Sequence, residues 1–397
     1  MRTTILPLAV TLAIQALVSM ATLTVPVLAP AAAVATGYPA KLAGVFVGLV
    51  YAGAMISSLF SGSLIDRLGP LRVSQLCLLF CAAGLLLAAT GTLWLMGLGA
   101  LVLGLGYGPV TPSSSHLLVR TTPPHRMGLT FSIKQTGVPV GGALAGIMVP
   151  AVVSGYGWQA AMLMVAAMCG GMALLSQPAR GPLDRASLAE RPVARRGGVI
   201  EPLRMIIARP ALRDIALGSL FYGAAQLSVT AYMVIWLTEV YHMDYLLAGV
   251  VLAVAQGAGV GARLLWGWMA DNHVSPRMLL SLLGVVMAAC MVGFGLSGPG
   301  WPVWIIVAIA IAAGASAIGW NGVYLAEVAR LAPPGTAGMV TGGTLFITFF
   351  GTMLGPPVIA GIIGLTGSFA TGFLVVGATT FAMAVYLGLN RPPPVTR

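Results

Sequence analysis

Residues 62–72 read Gly-Ser-Leu-Ile-Asp-Arg-Leu-Gly-Pro-Leu-Arg and follow a long apolar segment of the chain. Residues 267–277 read Gly-Trp-Met-Ala-Asp-Asn-His-Val-Ser-Pro-Arg and keep the spacing of the glycine, the aspartate and the final arginine. A second repeated pattern, an arginine followed by two prolines and a glycine, occurs at residues 120–128 and 330–338. Because both patterns recur in the same order, the sequence predicts an internal duplication with two halves in parallel orientation.

Apolar residues dominate the chain around these loops. Of the 397 residues, 58% are hydrophobic and only 7% are charged, and the mean hydropathy is +0.96. A soluble domain carries about 25% charged residues, so the composition indicates an integral membrane protein. The apolar segments are continuous rather than alternating, which favours membrane-spanning helices over a β-barrel.

Twelve apolar stretches reach the length of about 20 residues that a helix needs to cross a bilayer. They lie at residues 8–34, 42–65, 71–90, 94–119, 128–153, 157–177, 213–239, 246–270, 276–297, 302–329, 337–364 and 368–389. The first is interpreted as a retained helix, because its apolar part is too long for a signal peptide. The predicted fold is an all-α membrane protein with twelve transmembrane helices in two pseudo-symmetric six-helix bundles. The bundles are residues 1–178 and 213–397, joined by a linker at 179–212.

The basic residues are distributed unevenly between the two sides of this topology. The side that holds both termini carries the linker, with eight arginines from Arg180 to Arg213, whereas the opposite side carries only Lys41. This bias predicts cytoplasmic termini and a cytoplasmic linker in an inner or plasma membrane. The net charge of +11 is spread over short loops, so no nucleic-acid partner is expected. The four cysteines lie inside predicted helices, and we expect packing roles, no metal site and no cofactor.

The pattern Gly-x-x-x-Asp-Arg-x-Gly-x-x-Arg at residues 62–72 resembles the signature loop of the major facilitator superfamily. Residues 267–277 resemble a degenerate copy, with Asn272 in the position of Arg67. The resemblance covers nearly the whole chain, since twelve helices, cytoplasmic termini and a long middle loop fit it too. It implies the major facilitator fold, with substrate bound between the two halves.

The repeated loops also predict a gating network. Asp66 and Asp271 come at the ends of their helices, beside arginines and close to helix termini whose partial charges stabilise a carboxylate. Such a network can latch one conformation; the alternative is a solvated loop that only obeys the charge rule. The predicted gating residues are Asp66, Arg67, Arg72, Arg120, Asp271, Arg277, Glu327 and Arg330.

Two basic residues fall inside apolar segments, Lys134 in the fifth and Arg263 in the eighth. They lie about 9 and about 12 Å from the cytoplasmic ends of those helices, at about 1.5 Å per residue. A buried cation in a membrane is costly, which points to an anionic ligand or a water-filled cavity.

The spacing of Arg263 and Gly267 resembles helix 8 of monocarboxylate transporters and oxalate/formate exchangers, which implies a carboxylate-binding arginine. The superfamily resemblance also implies that the two cations approach one another. Alternatively, Arg263 pairs with Asp271 or a backbone carbonyl, and Lys134 extends towards the cytoplasm.

Further polar and aromatic side chains fall on helices that line the cavity in that superfamily. Individually each is as well explained by packing or by hydrogen bonds between helices. As a set they predict a pocket. With the two cations, the predicted substrate-binding residues are Arg263, Lys134, Gln15, Tyr107, Tyr222, Gln226, Asn321 and Tyr324.

These features predict a secondary transporter for a small organic anion, a mono- or dicarboxylate, and not an enzyme. Protons are the candidate coupling ion, and we expect a monomer in the bilayer. Two other transport functions remain open: an exporter of amphipathic drugs, which usually needs an acidic residue within the membrane, and a carrier of an inorganic anion such as cyanate or nitrate. A non-transporting sensor is disfavoured, because the linker is too short for a soluble domain.

Overall fold

A computed structural model describes residues 2–38, 42–189, 200–243 and 245–390. Lys41, Arg191, Arg195, Arg196, Arg391 and Arg397, which contribute to the predicted charge bias, lie outside the described residues. Nine helices precede the undescribed part of the linker: α1 Arg2–Thr36, α2 Leu42–Leu68, α3 Pro70–Ala89, α4 Leu93–Tyr107, α5 Val110–Thr121, α6 Met127–Gln135, α7 Gly137–Tyr156, α8 Trp158–Leu175 and α9 Gln177–Ala189.

Eight helices follow it within the described residues: α10 Glu201–Ile207, α11 Pro210–Glu239, α12 Tyr245–Asn272, α13 Pro276–Leu296, α14 Val303–Ala313, α15 Asn321–Leu331, α16 Ala337–Thr366 and α17 Phe369–Leu389. Among the described residues, 12 helical segments are long and apolar enough to cross a membrane. The predicted all-α fold with twelve spans is therefore confirmed.

Three of the twelve spans are interrupted, which the hydropathy pattern did not predict. The regular helical hydrogen-bond pattern is interrupted at Gly108 and Pro109, between α4 and α5, and at Thr136, between α6 and α7, although all three residues keep helical φ and ψ angles. Pro109 and Pro139 lack the backbone N–H that would continue the helix, which accounts for both breaks. The tenth span changes to a π turn at Gly314–Ile318 before α15 begins. The π turn is thus a stretch of irregular backbone inside the protein, where side chains can bind it.

Contacts group the chain into two units. Unit one holds Met1–Pro124, Ile133–Met205 and Ala332–Phe346, and unit two holds His125–Ser132, Ile206–Leu331 and Ile347–Arg397. The core of unit one is built from buried aliphatic side chains of α1, α3, α4 and α8, together with Cys77, Cys81 and Cys169. In unit two, an aromatic cluster around Trp236 is buried with Cys290. The predicted division at 1–178, 179–212 and 213–397 stays a prediction.

Each unit contains a helix pair that packs backbone against backbone. In unit one, a Cβ on Gly141 of α7 would overlap the carbonyl oxygen of Ala16 in α1. In unit two, a Cβ on Gly351 of α16 would overlap the carbonyl oxygen of Leu220 in α11. Small residues permit this close approach, which is a common mode of helix association in membranes. The packing of both units therefore depends on glycine at matched positions.

Candidate functional site

Lys134 lies in unit one and is buried, with 1% of its surface exposed. Its Nζ donates hydrogen bonds to the amide oxygen of Gln15 at 2.7 Å, the hydroxyl of Thr111 at 3.1 Å and the amide oxygen of Gln135 at 2.9 Å. The Thr111 hydroxyl in turn donates to the Gln15 amide oxygen at 3.1 Å. The ammonium is thus held by polar groups inside the protein, and the extended conformation towards the cytoplasm is not the one observed.

The cluster lies beside the interruptions of the fourth and fifth spans. Thr111 is in the first turn of α5, directly after the break at Gly108 and Pro109. Lys134 and Gln135 end α6, directly before the break at Thr136. A buried ionisable side chain in a membrane helix usually faces the interior of the bundle and marks a substrate or ion pathway. We therefore take the Lys134 cluster as the candidate site of unit one.

Arg263 lies in unit two and is 2% exposed. Its Nε donates to the backbone carbonyl of Ile318 at 2.9 Å. Trp266, one turn further along α12, donates from its indole nitrogen to the carbonyl of Ala315 at 2.8 Å. Both acceptors belong to the π turn of the tenth span. A bond to a backbone carbonyl was one of the alternatives for Arg263, and it occurs at a helix interruption, as for Lys134.

Gln226 and Asn321, two predicted pocket residues, lie together in unit two. The amide oxygen of Gln226 accepts from the side-chain nitrogen of Asn321 and from the indole nitrogen of Trp320, both at 3.1 Å. Gln226 belongs to α11, whereas Trp320 and Asn321 come directly after the π turn. The structure thus brings these two residues together and adds Trp320, which the sequence analysis missed.

Tyr222 and Tyr324 lie in the interior of unit two, each 1% exposed. The Tyr222 hydroxyl donates to the carbonyl of Leu280 at 2.9 Å, and its ring meets Trp320 edge to face at 5.6 Å. The Tyr324 hydroxyl lies 3.3 Å from that of Thr348. Both tyrosines thus connect neighbouring helices. In unit one, Tyr107 is half-buried and its ring packs edge to face on Tyr51 at 6.1 Å.

The Asp271 carboxylate binds the first turn of α6 within unit two. It accepts from the backbone N–H of Gly128 and of Leu129, both at 2.8 Å, and from Arg330 at 2.6 Å. A Cβ on Gly128 would lie 2.6 Å from the carbonyl oxygen of Gly267, so glycine is needed for this approach. A carboxylate at a helix N-terminus is stabilised by the N–H groups and the helix dipole. Asp271 thus lies beside an arginine and a helix N-terminus, and its gating role stays a prediction.

The remaining arginines of the predicted network have several partners. Arg277 donates to Asp214 at 2.8 Å, and Glu327 lies 3.8 Å from Arg330. A terminal nitrogen of Arg120 lies 3.5 Å from a ring nitrogen of His116. Asp66 and Arg67 are exposed side chains at the end of α2. Arg277 therefore contacts Asp214 near the start of α11, and the sequence analysis did not name this partner.

Asp184 of α9 was also missed, and it binds the other signature loop within unit one. Its carboxylate accepts from the backbone N–H of Leu71 at 2.8 Å and of Arg72 at 3.1 Å, in the first turn of α3. Arg180 lies 3.6 Å away. Burial raises the pKa of the Asp184 carboxyl, although the two N–H groups and Arg180 act in the opposite direction. The sequence feature that could have indicated this contact is an acidic residue within an arginine-rich linker.

Comparison with known proteins identifies the family. The profile of the Major Facilitator Superfamily matches residues 11–356. An uncharacterized MFS-type transporter of Mycobacterium tuberculosis is 24% identical, over 91% of this chain and 79% of its own. Human monocarboxylate transporter 11 is 28% identical over 75% of this chain and 64% of its own. The gentisate transporter of Corynebacterium glutamicum is 24% identical over 89% of this chain and 81% of its own.

Two solved structures share the fold. The Escherichia coli fucose:proton symporter FucP superposes with a TM-score of 0.74 at 15% identity, covering 98% of this chain and 100% of its own. The human organic anion transporter MFSD10 superposes with a TM-score of 0.74 at 17% identity, covering 97% and 99%. The chain belongs to the Major Facilitator Superfamily. It is a multi-pass membrane transporter and not an enzyme.

Proposed function

We propose that the protein is a secondary active transporter that moves a small organic anion, a mono- or dicarboxylate, by alternating access. The observation that carries this proposal is the burial of Lys134 and Arg263, each beside an interruption of a membrane helix. Burying a cation in a membrane costs several kcal/mol or more, and such residues usually mark a substrate or ion pathway.

The distribution of acidic residues supports an anionic substrate. The chain has nine of them, and those within spans lie close to span ends, as Asp66, Asp214, Asp271 and Glu327 do. A transporter of cationic drugs generally needs a carboxylate near the middle of the membrane. The buried charged side chains Lys134 and Arg263 are basic instead, and a basic group attracts a carboxylate.

Arginine suits a carboxylate because its planar guanidinium can donate two parallel hydrogen bonds to two oxygens. The Nε of Arg263 is bonded to Ile318, which holds the plane of the guanidinium in one orientation. Lys134 offers a second positive charge, with amide and hydroxyl groups around it. We propose that Arg263, with Gln226 and Asn321, contacts the substrate anion in unit two, and that Lys134 contacts it in unit one.

The names of the relatives agree with this substrate class. A monocarboxylate transporter, a gentisate transporter and a probable chloroplastic anion transporter of rice are among them. Gentisate is an aromatic carboxylate. We further propose the inner or plasma membrane with both termini cytoplasmic, a monomer, and protons as the coupling ion.

Uptake by proteoliposomes tests the function directly. Purified protein is reconstituted, and the uptake of labelled pyruvate, malate, benzoate and gentisate is compared with that of nitrate, cyanate and ethidium. We expect saturable uptake of at least one carboxylate, which the unlabelled compound competes away. Transport of ethidium alone would replace the proposal by drug export, and transport of nitrate or cyanate alone would replace it by inorganic anion transport. Empty liposomes are the control.

A further inference from the structure

The π turn of the tenth span, Gly314–Ile318, packs tightly on α12. A Cβ on Gly314 would overlap the carbonyl oxygen of Ala255, and a Cβ on Gly259 would lie 2.7 Å from the side chain of Ile318. The two backbones are therefore in direct contact at Gly314, and Gly259 leaves room for the side chain of Ile318. π turns within membrane helices are rare and frequently coincide with functional sites.

Two side chains of α12 bond to this turn. Arg263 donates to the carbonyl of Ile318 and Trp266 donates to the carbonyl of Ala315. The donors are three residues apart on α12 and the acceptors are three residues apart on the turn. The two hydrogen bonds thus lie next to each other between α12 and the π turn. Since an irregular turn leaves carbonyls without regular helical partners, these bonds stabilise the turn itself.

The same turn leads directly into the residues that bind Gln226. Trp320 and Asn321 follow Ile318 by two and three residues, and both donate to the Gln226 amide oxygen. Gly319 lies between the two groups, and a Cβ there would overlap the carbonyl oxygen of Ala315 and lie 2.9 Å from the indole nitrogen of Trp266. One short stretch of backbone thus determines the position of the Arg263 acceptor and of the Gln226 donors.

We propose that Trp266 is a positioning residue for substrate binding: it holds the π turn in register, and the turn orients the Arg263 guanidinium through Ile318. Trp266 acts through the turn and needs no contact with the substrate. The binding part of this inference rests on the proposed function of Arg263. The structural part, the coupling of Trp266 and Arg263 through the turn, is independent of any ligand.

The structural part is tested by hydrogen exchange of the ligand-free full-length protein, followed by mass spectrometry on peptides covering residues 314–322. Trp266→Phe removes the donor and keeps an aromatic ring, and we expect exchange there to be on the order of fivefold faster, as for the loss of one hydrogen bond. Trp268→Phe is the matched control, because Trp268 is an exposed residue of the same helix. Trp266→His retains an N–H donor, and slower exchange than in Trp266→Phe is expected.

Arg263→Met and the double variant complete a double-mutant cycle. If both donors hold one turn, both single variants accelerate the same peptide, and the double variant departs at least about twofold from the product of their effects. Exchange in Trp266→Phe equal to that in Trp268→Phe would overturn the proposal, and so would multiplicative effects. Should Trp266→Phe not fold, Trp266→Met, which also lacks the donor, takes its place in the cycle.

Transport of gentisate by proteoliposomes tests the binding part. We expect Trp266→Phe to raise KM several-fold with a smaller change in kcat, while Trp268→Phe matches the parent. An unchanged KM in Trp266→Phe, in a parent that transports gentisate, would overturn the positioning role. If the parent transports no carboxylate but the exchange cycle shows coupling, the proposed function fails and the structural inference stands.

Discussion

The ammonium of Lys134 lies 2.7 Å from the amide oxygen of Gln15, at the point where the fifth membrane span is interrupted. Gln15 belongs to α1, 119 residues earlier in the chain. Because both side chains are buried, the hydrogen bond forms in a medium of low dielectric constant, where leaving either group without its partner is costly. This pair therefore links the stability of unit one to the position of a candidate substrate ligand.

The first prediction concerns this pair. Gln15→Leu removes an acceptor of the ammonium and should lower the apparent Tm, with a loss of about 1–3 kcal/mol. Lys134→Gln should weaken carboxylate binding about tenfold or more, because a charged contact is lost. Thermal unfolding and a binding titration in detergent measure the two effects. Ser154→Ala, at an exposed hydroxyl of α7, is the control. Unchanged carboxylate binding by Lys134→Gln would remove Lys134 from the proposed site.

The second prediction concerns Arg263. Arg263→Lys keeps the charge but loses the planar fork, and Arg263→Gln loses both, so carboxylate affinity should fall in that order. We expect losses of about tenfold and about a hundredfold, respectively, from the energies of charge-assisted hydrogen bonds. The dissociation constants are measured by titration. If Arg263→Gln binds and transports like the parent, the arginine has a structural role only.

The third prediction tests the gating residues. Asp66→Asn and Asp271→Asn should slow turnover while leaving substrate affinity nearly intact, since a charge is removed from a conformational latch rather than from the pocket. For Asp271, the expected loss comes from the bonds to Arg330, Gly128 and Leu129. Initial uptake rates at saturating substrate provide the measurement, with Glu239→Gln, an exposed residue at the end of α11, as control. Turnover equal to that of the parent would argue for a solvated loop.

The fourth prediction is a pH dependence at Asp184. Its folded-state pKa is raised above the ordinary value of 3.8, so the folded protein binds the proton more tightly than the unfolded chain. Stability contributed by the protonated form is therefore present below that ordinary value and is lost as the pH rises through the raised pKa. Asp184→Asn, which is neutral throughout, should flatten this part of the pH profile of Tm. A profile that keeps the parent's slope would show that other carboxyls cause it.

The fifth prediction concerns helix packing in unit one. Gly141→Ala should destabilise the protein by about 1–3 kcal/mol or more, because the added Cβ overlaps the backbone of α1 at Ala16. Gly146→Ala is a matched control on the same helix, since no atom lies within 4 Å of its added Cβ. The apparent Tm of the two variants in the same detergent gives the comparison. Equal Tm values would mean that α1 and α7 shift apart without cost.

Part of the candidate site was predictable because charge within an apolar segment is visible without a structure. Lys134 and Arg263 were identified in this way, and so was Asp271 through its repeated loop. Gln15 was predicted as a pocket residue, but its pairing with Lys134, like the partners of Arg263 and Asp271, was not. Gln15, Ile318 and the N–H groups of Gly128 and Leu129 come from distant parts of the chain. The residue types alone do not single them out, because neutral amides and backbone groups occur throughout the sequence.

The sequence by itself determined the class of the protein. The apolar segments are long enough to cross a bilayer, where only helices or closed barrels satisfy the backbone, and both these segments and the duplicated loops are visible in short stretches of the sequence. Only the tertiary structure decided where the regular helices are interrupted and which hydrogen-bond acceptors Lys134 and Arg263 contact. The π turn at Gly314–Ile318 contains no charged residue and no proline from which it could be predicted. It becomes apparent through the close approach of Gly314 to Ala255 and the donors Arg263 and Trp266, which depend on how α12 packs against it.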